Sequence, residues 1–138
     1  MRLRERTTSL LPAVLLLAVL LPAGCNKATD AGPAEIIAAQ YLSLIQAQQS
    51  AAAYALLTPV CRQYRTQREM QGVWTLQESR KGSLRTWNVT GYYTSTLKGS
   101  PLIHLDYRLN FERGNTNISF QMLPVNGQWR INDYQMAS

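Results

Sequence analysis

The stretch LIHLDYRLNFE, residues 102–112, sets the fold class. Ile103, Leu105, Tyr107, Leu109 and Phe111 fall on one side of an extended chain, and His104, Asp106, Arg108, Asn110 and Glu112 on the other. Successive strand side chains point to opposite faces, so this alternation specifies an antiparallel strand with one buried and one solvated face. Downstream, Arg113-Gly114-Asn115 turns the chain into another strand, with Ile118, Phe120 and Met122 on its inner face. Asn126-Gly127 then supplies the residue pair that best tolerates the positive φ angles of a type I′ hairpin. The last strand places Trp129 and Ile131 inward, then slips one position to Tyr134 and Met136, which predicts a bulge near Asn132-Asp133. Upstream, Leu84 to Leu97 is rich in β-branched and aromatic residues, and Lys98-Gly99-Ser100-Pro101 reads as a turn.

Before Gly82 the apolar period is helical. Asp30, Pro33 and Glu35 mark a helix start, and Ile37, Tyr41, Leu44 and Ile45 keep a spacing of three and four. Ala51 to Leu57 reads as a second short helix closed by Thr58-Pro59. A third is expected from about Val60 towards Lys81, with Met70, Val73, Trp74 and Gln77 on its core side. Arg62, Arg65 and Arg68 recur every three residues on another face of it, a candidate contact for a partner or an anion; a solvated helix face is the plainer reading. The expected fold is therefore α+β, with about three helices packed on a four-stranded antiparallel meander.

The chain opens with Arg2, Arg4 and Arg6, an apolar run from Leu10 to Leu21, and the small residues Ala23 and Gly24 before Cys25. This is the order of a secretory signal peptide, and the run is short of the roughly 20 residues a spanning helix needs. The signal resembles that of bacterial lipoproteins, although Pro22 stands where those signals favour leucine. The resemblance implies cleavage before Cys25, acyl groups on its sulfur and amine, and stable anchoring by several chains. Asn26, rather than aspartate, then points to the outer membrane, periplasmic face. The expected organisation is a signal peptide at 1–24, a flexible polar tether at 25–33 and one domain at 34–138.

Processing leaves 114 of the 138 residues, enough for one core. Loss of three arginines and one glutamate lowers the net charge from +6 to +4. That mild basicity suits a membrane surface and falls short of a nucleic-acid footprint. With Cys25 lipidated, Cys61 is left without a disulfide partner and reads as a small buried hydrophobe.

Four segments, YLSLIQAQQSAAAYALLTPVCR, MQGVWTLQESRKGSLRTWNV, GYYTSTLKGSPLIHLDYRLNFE and NGQWRINDYQM, resemble domain-of-unknown-function family 4019, small exported bacterial proteins. The resemblance spans about Glu35 to Met136. It implies a cone-like fold of the cystatin or nuclear-transport-factor-two type and no known reaction. By that resemblance a homodimer is also expected.

Few residues suggest chemistry. His104 and Asp106 share one strand face, where a carboxylate can orient a base, but the opposite face is the apolar one, so both are expected to look away from the helices. Ser95-Thr96-Leu97-Lys98 matches the S-x-x-K spelling but ends a strand instead of opening a helix. One histidine and one spare cysteine are too few for a typical zinc site, and no cofactor motif is present. The expectation is a membrane-anchored lipoprotein serving as a non-enzymatic binding or assembly module for an envelope protein. The alternative is a small-molecule enzyme of the isomerase or dehydratase type, or a ligand carrier. A pocket holding Asp133, Glu78 or His104 beside Tyr93 or Tyr107 would reverse that preference.

Overall fold

A computed structural model describes residues 30–137. The signal segment, Cys25 and residues 25–29 of the tether lie outside the described residues. Helices α1 (Gly32–Gln46), α2 (Ser50–Tyr54), α3 (Pro59–Tyr64) and α4 (Gln67–Lys81) precede strands β1 (Leu84–Leu97), β2 (Ser100–Phe111), β3 (Gly114–Val125) and β4 (Gln128–Met136). The strands pair antiparallel in the order β1-β2-β3-β4. The protein is α+β, with its helices ahead of an open four-stranded sheet. Among the described residues no helix is long and apolar enough to cross a membrane.

The alternation in β2 is realised in full: Ile103, Leu105, Tyr107, Leu109 and Phe111 are buried. The expected bulge is also present. Gln121 pairs with Asp133 and Met122 with Ile131, which leaves Asn132 as the extra residue. Asn126 and Gly127 both take positive φ, as do Lys98 and Gly99, so Ser100 and Pro101 belong to β2 and not to the turn.

Two boundaries differ from expectation. The domain starts before residue 34, because Ala31 is buried and Gly32 and Pro33 already belong to α1. The helix expected from Val60 to Lys81 is two helices. Arg65 is extended (φ −130°, ψ 113°), and Thr66 caps α4 through a reciprocal pair with Glu69. That capping box satisfies two end N–H groups of a new helix, and its spelling, Thr-x-x-Glu, is local.

Tyr41 of α1 is wholly buried at the centre of the core, edge-on to Phe120 and close to Trp74 and Tyr134. Burial raises the Tyr41, Tyr107 and Tyr134 phenols above their ordinary value, Tyr107 up to about 12. Unfolded tyrosines ionise near pH ~10. Above that pH the unfolded chain releases protons that the native state keeps. Stability is therefore complete below pH ~10 and falls as the pH rises towards ~12, by up to about 1.4 kcal/mol per pH unit for each tyrosine. Urea midpoints measured from neutral to alkaline pH should trace this limb, and Tyr107→Phe should make it shallower.

Candidate functional site

The inner sheet face is filled by α1, so exposed polar chemistry collects on the outer face. Strand register aligns Tyr93, His104, Gln121 and Asp133 in one row across all four strands. Asp106, Ser119 and Gln135 form the neighbouring row. The Asn132 bulge creates this arrangement by keeping Asp133 on the outer row while Tyr134 turns into the core. Thr58 fixes the bulge: its hydroxyl meets the Asn132 side-chain oxygen at 3.0 Å and its N–H donates to the Ile131 carbonyl at 2.8 Å. The Ile131 N–H donates to the Leu56 carbonyl at 2.9 Å. The free edge of β4 is thereby paired at Ile131.

Two adjoining clefts share Gln121 and Asp133. One, of about 230 Å³, is lined by Tyr93, His104, Asp106 and Ser119. The other, of about 480 Å³, runs beneath α3 and is lined by Val60, Cys61, Tyr64 and Arg65. The first contains His104 and Asp133 beside Tyr93, the composition that would favour catalysis. It lies outside the helix-covered face, where His104 and Asp106 were expected to point.

The hydrogen bonds decide what the first cleft can do. The His104 ring lies parallel to Tyr93, with centroids 4.1 Å apart and planes 10° apart. Its Nε2 is 3.3 Å from the Ser95 hydroxyl, so fold register brings together a serine and a histidine nine residues apart. Asp106 does not orient that histidine: its carboxylate accepts from the Ser119 hydroxyl at 2.6 Å. Asp133 accepts from Arg65. Among the described residues neither carboxylate is hydrogen-bonded to His104, so the general-base arrangement of acid, histidine and nucleophile is incomplete. Cys61 is buried in the wall of the other cleft, and burial, reinforced by nearby Asp133, raises its thiol pKa. A thiol held protonated is a poor nucleophile. Among the described residues no three His, Cys, Asp or Glu side chains come together as metal ligands.

The expected arginine row does not exist as one face. Arg62 lies on α3, Arg65 in the break after it and Arg68 on α4, because the capping box interrupts the helix that would have aligned them. Arg62 and Arg68 are exposed. Arg65 instead folds against β4. Its guanidinium reaches Asp133 at 2.9 Å, donates to the Tyr134 carbonyl at 3.0 Å and sits 4.4 Å from the centre of the Tyr134 ring. The Tyr54 hydroxyl donates to the Arg65 carbonyl at 2.8 Å.

Arg65→Ala should therefore cost about 2 kcal/mol. The charged hydrogen bond and the ring contact dominate, and the partly exposed ion pair adds little. Arg62→Ala and Arg68→Ala should stay within about 0.5 kcal/mol of the parent. Urea unfolding of the three variants checks the contrast.

No protein-family model matches the chain, and no curated protein does either.

Proposed function

We propose that this protein is a lipid-anchored periplasmic module of the bacterial envelope, attached through acylated Cys25 to the outer membrane, that binds a protein partner on its outer sheet face without catalysing a reaction. The fold reading that goes with it is the cone-like cystatin or nuclear-transport-factor-two type, resembling family 4019. The order of helices and strands and the lodging of α1 against one sheet face support that reading.

One observation carries the non-enzymatic conclusion. The two carboxylates of the cleft are each engaged by a neighbour, Asp133 by Arg65 and Asp106 by Ser119, and among the described residues no acid is hydrogen-bonded to His104. A preformed, hydrogen-bonded polar surface flanked by exposed Tyr93 suits protein recognition, where tyrosines are favoured anchors. The alternative, a small-molecule enzyme or carrier, draws on the same cleft through the 3.3 Å contact of Ser95 with His104.

Intact mass spectrometry of the full chain from its own cells tests the anchor. The expected product begins at Cys25 with diacylglycerol and an amide-linked acyl group, and Cys25→Ser should accumulate with its leader uncleaved. An unmodified start at another residue refutes the anchoring. For the surface, a photo-crosslinker at Tyr93 in the anchored protein should capture one defined envelope protein, whereas the same group at Leu76 on α4 should not. Co-purification of a small metabolite alone, released by His104→Ala, would instead establish the carrier or enzyme reading.

A further inference from the structure

Among the described residues, Ile36, Val89, Tyr92 and Leu97 form one group of exposed apolar side chains, at the end of the domain where α1 begins; Val60, Tyr64 and Leu76 are exposed elsewhere, on α3 and α4. The Gln46 side chain donates to the Leu84 and Arg85 carbonyls, and the Tyr107 hydroxyl lies 3.5 Å from the Glu35 carbonyl opposite Val89. Helix α1 thus runs antiparallel to the first half of β1, and β1 continues beyond Val89 past the start of α1. At that end Ile36 is 68% exposed, Tyr92 57%, Leu97 39% and Val89 37%. Ile36, Trp87 and Val89 also line an open apolar groove of about 320 Å³ between α1 and β1. Exposed apolar clusters of this kind mark surfaces that meet something apolar.

The chain enters the domain at this same end. Seven residue steps separate Cys25 from Gly32, which itself lines the groove. Seven extended steps span at most ~25 Å. Whatever path the tether takes, lipid on Cys25 keeps the start of α1 within that distance of the bilayer. We infer that the bilayer surface is the occupant of this apolar end: Ile36, Val89, Tyr92 and, at the β1–β2 tip, Leu97 rest in the headgroup region, and the His104 row farther along the outer sheet face is left open for a partner. Tyrosines with an apolar body and a polar tip favour that interface, and Lys98 at the β1–β2 tip suits anionic headgroups. The inference rests on the lipid-anchor reading and adds an orientation to it.

The test uses the full chain, processed by its host and reconstituted in phosphatidylethanolamine–phosphatidylglycerol vesicles. Nitroxide labels are placed at Ile36→Cys, Tyr92→Cys and Leu97→Cys, with Tyr64→Cys and Leu76→Cys as controls; Cys61 is buried and stays unlabelled. The three test positions should show collisions with an aqueous nickel chelate reduced about threefold or more, and oxygen collisions raised, relative to the controls. Mass spectrometry of the same sample separates the failures. Lipid on Cys25 with all labels water-like refutes the docking and leaves the anchor standing, whereas an unlipidated Cys25 refutes both. Labels at 92 and 97 that are shielded from chelate without oxygen enrichment, and broadened by spins of a second copy, would show β1 covered by another molecule of this protein and overturn the bilayer assignment.

Discussion

Tyr41→Ala is expected to lower the stability of the domain by about 4–5 kcal/mol, a large part of the 5–15 kcal/mol typical of a domain. Two effects add. The ring is wholly buried against Phe120, Trp74 and Tyr134, so its removal leaves a cavity where α1 meets the sheet. The Trp74 indole N–H also loses its acceptor, since it donates to the Tyr41 hydroxyl at 2.9 Å in a buried setting. Tyr41→Phe isolates the second effect, because it keeps the ring and orphans the N–H; about 1–3 kcal/mol is expected. Urea unfolding followed by circular dichroism distinguishes the variants. Equal losses for the two would mean that the hydrogen bond, and not the packing, holds α1 against the sheet. The result bears on function, because α1 carries Ile36 and begins where the tether from Cys25 enters the domain.

The sequence revealed whatever was periodic and local. Residues 102–112 showed their two faces because β2 is a central strand, buried on one side along its whole length. The one-place slip between Ile131 and Tyr134 revealed the bulge for the same reason: both residues are core residues, so the extra residue had to lie between them. The helix break at Arg65 was missed because the apolar spacing on either side is compatible with one continuous helix. The signal for it was polar, in Thr66 and Glu69.

The candidate site was much less legible. Tyr93 stands beside His104, and Gln121 beside Asp133, only after four strands have found their register, and that register contains shifts at Arg85, Thr90 and Asn132. No single segment encodes such a row. The exposed apolar end was hidden differently. Val89 and Tyr92 look like core strand residues, and their exposure follows from where α1 begins, which is a property of the assembled layers.

Gly82→Ala and Gly72→Ala should change stability in opposite directions, although both place a methyl group in the α4 region. Gly72 lies in the exposed middle of α4, and an added Cβ there meets nothing within 4 Å. Replacing a helical glycine relieves a conformational penalty, so a gain of about 0.5–1 kcal/mol is expected. Gly82 closes α4 at φ 81° and ψ −166°, a region that side chains rarely enter. A Cβ there would lie 2.8 Å from the Glu112 Cβ, which is fixed close to the backbone and has no flexible end to swing away. Moving Glu112 is also opposed by its surroundings. Its N–H donates to the Ser83 carbonyl at 3.1 Å, and the Arg113 N–H donates to the Lys81 carbonyl at 2.8 Å, so the end of α4 is clamped to the β2–β3 turn. The Glu112 carboxylate further holds Arg85 at 3.0 Å, and the Ser83 side chain followed by Arg85 lowers its pKa. Backbone strain and the clash together should cost about 3–5 kcal/mol. Thermal unfolding of both variants checks the pair. A Gly82→Ala protein as stable as its parent would mean that the α4–β1 junction shifts freely, and that the clamp does not set where β1 starts.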